Sequence, residues 1–312
     1  MIEKTDMFIN STNGRNKLHV IQWKPEGRPR AILQIAHGMS EYIDRYDRFA
    51  TFLAENGLLV IGNDHLGHGE SVEDADELGY FESEEPAKTL IDDLFRVTTT
   101  IRAQYPDIPF LFMGHSMGSF MARRYMMDHG GGVCGAIFMG TGSIPSGTLK
   151  AAKAMAAGIG RLRGEKHRSA TLQKAAFGSY TKRIEKPITP YDWLSRDMVN
   201  VEKYMADPLC GFNFTVNGYK TLFSLIEYIQ EPSNIAKLPK DTPILLISGK
   251  EDPVGHYGDN VREIRETYRK AGIREVMMKL YPEDRHEILN EEGHELADTD
   301  ILEFIEHCLK AV

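Results

Sequence analysis

Apolar positions along the chain fall into two rhythms. Continuous apolar runs occur at Ala31–Ala36, Leu58–Gly62, Phe110–Met113, Gly135–Met139, Pro243–Ser248 and Val276–Tyr281. Runs this short, without polar alternation, predict strands covered on both faces. Between them, apolar residues recur at helical spacing over Asp44–Asn56, Ala87–Tyr105, Ser119–His129, Asp259–Ala271 and Glu295–Leu309. Upstream, Met7–Asn10 and Lys17–Trp23 flank the turn-rich Ser11–Arg15, which predicts a hairpin. Strands alternating with amphipathic helices predict an α/β fold with a mostly parallel sheet of about eight strands flanked by helices. The rhythm breaks over 144–238. That stretch has no buried strand pattern, has several helical segments, and is punctuated by Pro187, Pro190, Pro208 and Pro232. It is too long for a loop and reads as a helical cap inserted into one α/β unit made of 1–143 and 239–312.

The run Phe110–Met113 leads directly into Gly114-His115-Ser116-Met117-Gly118, and a helical pattern follows. Gly-x-Ser-x-Gly between a strand and a helix is the context of a nucleophile elbow. Side chains at Gly114 and Gly118 would strike the neighbouring strand and helix. Ser116 would stand at a helix N-terminus, where free N–H groups favour developing negative charge. A nucleophilic serine needs a base, and the base needs an acid to orient it. In this kind of fold both follow the serine in chain order, on loops after later strands. Asp252 follows Pro243–Ser248 and His286 follows Val276–Tyr281, so these two take the acid and base positions. Glu251 competes with Asp252, but Pro253 fixes the turn after Asp252. His256 and His294 compete with His286, but neither directly follows a strand. The oxyanion donors are expected to be the backbone N–H groups of Met117 and of Met39, the latter in the loop after Ala31–Ala36. His37 is expected to tie that loop down. His65 and His68 invite a metal reading, but no further ligands complete a set at local spacing; the pair reads as shaping a glycine-rich loop. No metal and no organic cofactor is expected.

Composition narrows the setting. A net charge of −8 argues against nucleic acid as a partner. Three scattered cysteines, Cys134, Cys210 and Cys308, form neither a disulfide framework nor a metal motif, which suits a reducing cytoplasm. The charged N-terminus shows no signal peptide, and no apolar run reaches membrane-spanning length. Charge is unevenly spread. Ten basic residues lie between Pro145 and Pro190, opposed only by Glu165 and Glu185. There Leu149, Ala152, Met155, Ala156, Ile159 and Leu162 share a helical face, and Lys150, Lys153 and Arg161 lie on another. A basic amphipathic helix of this kind can rest on anionic lipid, or it can pack inward and leave its basic face solvated.

Five motifs carry a resemblance: His37–Tyr46, Asp64–Ser71, Gly114–Gly118, Gly249–Gly255 and Arg285–Glu291. Together they are similar to the monoacylglycerol lipase and lysophospholipase branch of the α/β-hydrolase superfamily. The resemblance covers 1–143 and 239–312, the catalytic domain of such enzymes, and is weak in the cap. It implies the α/β-hydrolase fold, with Ser116, Asp252 and His286 as nucleophile, acid and base and with Met39 and Met117 as oxyanion donors. It also implies that Glu41 and Arg45 lie near a pocket for the glycerol head group; a loop-bracing ion pair is the alternative. Tyr42-Ile43-Asp44 departs from the small or polar residues these lipases often carry there. The expected activity is hydrolysis of a single acyl ester, such as a monoacylglycerol or lysophospholipid, through an acyl-enzyme. Hydrolysis of short or aryl esters, peptidase activity and a non-catalytic ligand-binding fold are the alternatives.

Overall fold

The computed structural model describes residues 2–310. Eight strands form one sheet: β1 (Glu3–Asn10), β2 (Lys17–Lys24), β3 (Ala31–Ala36), β4 (Leu58–Asn63), β5 (Phe110–His115), β6 (Gly135–Met139), β7 (Ile244–Gly249) and β8 (Val276–Tyr281). Their spatial order is β1-β2-β4-β3-β5-β6-β7-β8. β2 pairs antiparallel with both β1 and β4, and every pairing from β4 to β8 is parallel. The helices are α1 (Asp47–Glu55), α2 (Pro86–Gln104), α3 (Met117–His129), α4 (Ser146–Arg163), α5 (Ala170–Phe177), α6 (Met198–Ala206), α7 (Val216–Gln230), α8 (Pro232–Ile235), α9 (Asp259–Lys270) and α10 (Glu295–Leu309).

The strand alternation sorts each apolar run onto two faces. Ile32, Phe110, Phe112, Phe138 and Leu246 enter one core, shared with α2, α3 and α9. Leu33, Ile35, Leu111, Met113, Ile137 and Ile247 enter the other, against α1 and α10. Burial on both faces is why these strands read as unbroken apolar runs. The polar exception on β3 is satisfied: Gln34 donates to the Leu94 carbonyl at 3.0 Å and accepts from the Thr98 hydroxyl at 2.7 Å.

Element ends follow local chemistry. Pro243 has no N–H, so it contributes only its carbonyl, accepting from Ala136 N at 3.0 Å, and β7 begins at Ile244. Pro86 opens α2 in the first turn, where a missing donor costs nothing. The helix expected from Asp44 starts instead at Asp47, after a 3-10 turn over Ile43–Tyr46.

Between β6 and β7 the chain passes through α4–α8 without a named strand; one isolated bridge joins Arg168 and Thr215. Tyr219, Leu222, Phe223 and Ile226 of α7 are buried in the same apolar mass as Met121 and Tyr125 of α3. Each such side chain contributes about 1.5–3 kcal/mol on burial, so α7 anchors the inserted helices to the sheet unit. From β3 the chain steps to β4 on one side and later to β5 on the other. That reversal opens a crevice at the carboxyl ends of β3 and β5, where open α/β sheets place their sites.

Candidate active site

Ser116 lies between β5 and α3 with φ 54° and ψ −122°, a left-handed conformation that a side-chain-bearing residue rarely adopts. Holding it there costs on the order of 1–3 kcal/mol. The turn is possible because its neighbours lack side chains. A Cβ on Gly114 would sit 2.1 Å from the Gly118 carbonyl oxygen, and one on Gly118 would sit 2.1 Å from that of Ala36. The elbow is closed by Ser116 N donating to the Met139 carbonyl at 3.0 Å and by Ser119 Oγ donating to the Ser116 carbonyl at 2.6 Å.

The loops after β7 and β8 bring Asp252 and His286 together. His286 Nδ1 lies 2.9 Å from Asp252 Oδ2, and both residues are buried. The carboxylate is oriented by Ser248 Oγ at 3.1 Å and by the Val254 amide at 2.9 Å. With Nδ1 donating to the carboxylate, Nε2 is the basic nitrogen. Nε2 is buried and has no hydrogen-bond partner among the described residues. Glu251, the competing acid, is exposed. The competing histidines lie elsewhere: His256 beside Asp259 at 3.7 Å, and His294 against Asp298 at 3.0 Å.

The loop after β3 passes directly against the elbow. A Cβ on Gly38 would lie 3.1 Å from Ser116 Cβ. The Met39 and Met117 amides make no hydrogen bond among the described residues. Three buried histidines hold this loop. His37 donates from Nδ1 to the Gly38 carbonyl at 2.8 Å and accepts the His65 amide on Nε2 at 3.0 Å. His68 donates from Nδ1 to the Leu66 carbonyl at 3.0 Å and accepts the Ser40 amide on Nε2 at 3.2 Å. Burial keeps the cluster neutral, pushing His37 down to about 3 and His68 to about 4, with His65 lowered as well. Backbone groups therefore occupy the ring nitrogens of His37 and His68, which shape the loop.

Glu41 and Arg45 lie beside the site in a closed network. Arg45 Nη1 reaches Glu41 at 2.6 Å and Glu287 at 2.9 Å, and Nη2 reaches Glu287 at 2.8 Å. Glu41 also accepts from the Gly38 amide and, at 2.9 Å, from Tyr46. His115 of the elbow is 3.2 Å from Glu41 and 3.0 Å from the Tyr46 hydroxyl. Burial alone would raise the Glu41 carboxyl, but His115 and Arg45 hold it well below its usual range; Arg45 also lowers Glu287 against the effect of burial. The cavity bounded by these groups is about 20 Å³, room for one water. The network thus ties together the Gly38 loop, the elbow and the residue after His286.

Three features escaped the sequence reading. Gly140, at the end of β6 with φ 58°, lies under the imidazole: a Cβ there would be 3.0 Å from His286 Cε1. Trp193 covers the imidazole from the cap side at 5.0 Å between ring centroids, backed by Tyr180 and Phe177. Glu287 completes the Arg45 network, and its amide donates to the Leu194 carbonyl at 2.7 Å. A glycine directly after a predicted strand was the one visible signal, for Gly140. The other two depend on contacts between segments distant in sequence.

Residues 27–293 match the family described as serine aminopeptidase S33. Rat monoglyceride lipase is 28% identical over 235 residues, covering 74% of this chain and 68% of that protein. A monoacylglycerol lipase of Mycolicibacterium smegmatis is 27% identical over 286 residues, covering 91% of this chain and 90% of that protein. Among solved structures, a thermostable carboxyl esterase from Bacillus coagulans in complex with glycerol superposes with a TM-score of 0.92 at 29% identity, covering 99% of this chain and all of that one. The chain belongs to the S33 family, in the monoacylglycerol lipase branch of the α/β-hydrolase superfamily.

Proposed function

We propose that the protein is a serine ester hydrolase acting on monoacylglycerol-like esters through an acyl-enzyme on Ser116. The observation that carries this is the free, buried Nε2 of His286, backed by Asp252, with the imidazole 4.6 Å between centroids from that of His115, the residue before the strained Ser116. Ser116 Oγ attacks the ester carbonyl as its proton passes to His286 Nε2. The oxyanion takes the N–H groups of Met39 and Met117. Imidazolium then protonates the leaving alkoxide, and water, deprotonated by the same nitrogen, releases the fatty acid and restores Ser116. Residues 144–238 act as the cap over the unit formed by 1–143 and 239–312, with Trp193, Tyr180 and Phe177 shielding the imidazole from water.

The family description names an aminopeptidase, which would need a free acid to hold a substrate amine. The two acids beside the site, Glu41 and Glu287, are both engaged by Arg45. Ester hydrolysis is therefore the better fit. The test is a hydrolysis screen over p-nitrophenyl esters, monoacylglycerols of graded chain length and aminoacyl amides. Monoacylglycerols should be cleaved best, and cleavage of the amides alone would overturn the reading.

The cap supports contact with lipid. Leu149, Ala152, Ala156 and Ile159 of α4 turn inward, while Leu162 is 85% and Met155 39% exposed beside the exposed Lys150, Arg161 and Arg163. Lys153 is held by Glu227. We read this face as resting on anionic membranes, with binding that weakens as salt rises. Among the described residues no helix is long and apolar enough to cross a membrane. The free thiols of Cys134, Cys210 and Cys308 fit a reducing compartment, and we take the cytoplasm as the enzyme's location.

A further inference from the structure

A second cleft, of about 350 Å³, opens between α3, α9 and the start of α4, and Ser116, Asp252 and His286 are not among its lining residues. Its volume falls in the range of small-molecule sites. Arg123 lines it although its residue is only 2% exposed. The guanidinium donates from Nε to the Tyr268 hydroxyl at 2.8 Å, and from Nη1 to the Gly142 carbonyl at 2.8 Å and Thr141 Oγ1 at 3.3 Å. All three partners are neutral. Nη2 makes no hydrogen bond, and no carboxylate pairs with the guanidinium among the described residues. A buried charge is ordinarily paired, because removing it from water costs several kcal/mol. Arg123 has donors left over and no counter-ion.

The same cleft receives the N-terminus of α4 at Pro145 and Ser146. This eighteen-residue helix has no side-chain cap and no acid in its first turn. Its first intrahelical donation is from Leu149 N to the Pro145 carbonyl, so the amides of Ser146, Gly147 and Thr148 lack helical acceptors. Orphan amides and a helix dipole favour an anion at that end. Two independent sources of positive potential therefore meet on one cavity. The remaining walls set Ile144, Ile235 and Ile264 among the polar Ser143, Gln230, Asn260 and Thr267. The one acid on the lining, Glu263, is exposed and makes no ion pair among the described residues. A guanidinium and helix amides beside aliphatic walls suit a carboxylate that carries a hydrocarbon tail.

We propose that this cleft binds an amphipathic monocarboxylate, a fatty acid of medium chain length, with its head on Arg123 and the α4 N-terminus and its tail against Ile144, Ile235 and Ile264. The site stands on its own geometry. Where the hydrolytic reading holds, the acid released by the reaction has a second place to bind. Arg123 would link such an occupant to the Gly142 carbonyl, two residues beyond the Gly140 that lies under His286.

The experiment is a calorimetric titration of the full-length protein with decanoate below its micellar concentration, with decanol as the neutral control. Decanoate should saturate one site, and decanol should bind at least tenfold more weakly. Ser146→Asp would place a carboxylate at the α4 N-terminus, where it also favours the helix, so folding should be preserved. It should weaken decanoate at least tenfold. Arg123→Met should do the same; where it lowers the melting temperature severely, Ser146→Asp alone reads the site. Equal binding of decanol, or unchanged decanoate binding by a folded Ser146→Asp protein, overturns the proposal. Labelling Ser116 with a fluorophosphonate should leave decanoate binding intact; its loss would put the ligand in the catalytic crevice and overturn the proposal. Failure of the label to react counts against the hydrolytic reading and leaves the titration result standing.

Discussion

Replacing Gly140 with alanine tests how tightly His286, the base of the proposed mechanism, is seated. The residue has φ 58°, and a Cβ there would lie 3.0 Å from His286 Cε1 and 3.1 Å from Nδ1. Two costs follow. Left-handed backbone is about 1–2 kcal/mol worse for alanine than for glycine, so stability should fall by about that amount. The second cost falls on catalysis. Carbon atoms pack comfortably at about 3.5–4.0 Å, so the ring must move by about 0.5 Å or more. The imidazole has little freedom to do so, because Asp252 holds Nδ1 at 2.9 Å on one side and Trp193 covers it on another. A misplacement of about 1 Å can cost about a hundredfold, so kcat for a p-nitrophenyl ester should fall about ten- to a hundredfold. Fluorophosphonate labelling of Ser116 should slow in parallel, because it uses the same base. The assay pairs steady-state kinetics with a thermal melt. A lowered melting temperature with kcat within twofold of wild type would refute the reasoning, since strain would then relax without reaching the ring.

Three further outcomes are expected. Ser116→Ala should abolish fluorophosphonate labelling and esterase activity while the melt is preserved; Asp252→Asn should lower kcat by about 10⁴, by presenting the wrong partner to His286, whereas Glu251→Gln should leave it unchanged. Arg45→Met should destabilise the protein by about 3–5 kcal/mol, because it leaves Glu41 and Glu287 buried without their cation. Since burial favours their protonated forms once Arg45 is gone, the deficit measured by denaturant titration should be smaller at pH 5 than at pH 8. His19 provides the opposite sign: burial lowers its pKa, but Asp64 and Asp6 outweigh that and raise it to about 9. Its stabilisation is fully present below about 6.5 and is lost as pH rises through about 9, so the melting-temperature gap between wild type and His19→Gln should close over that window.

Legibility in the sequence tracked how local the cause was. The parallel strands are readable because burial on both faces leaves an unbroken apolar run, and their ends differ by at most two residues, as where Pro243 yields to Ile244 and β5 runs on to His115. The apolar pattern of β1 begins only at Met7, yet the strand extends back to Glu3. Its outer half, Glu3–Asp6, is an edge segment with largely exposed side chains and so carries no apolar signature. On α4, periodicity groups six apolar residues on one face, but only Leu149, Ala152, Ala156 and Ile159 are covered in the fold. Met155 and Leu162 remain outside.

The site divides in the same way. Chain order and strand ends were enough to nominate Ser116, Asp252 and His286, because each is placed by the strand just before it. What holds them in register is not local. Arg45 reaches Glu287 across 242 positions, and His115 approaches Glu41 across 74. Those contacts exist only because β3, β5 and β8 bring their carboxyl ends to one edge of the sheet. Buried charge raises the stakes of that arrangement. One guanidinium serves two carboxylates, each joined to a different loop, so a shift of any loop would leave a charge unpaired at a cost of several kcal/mol. The loops are thus coupled electrostatically, and the elbow strain at Ser116 is borne by a surround that has no inexpensive way to relax.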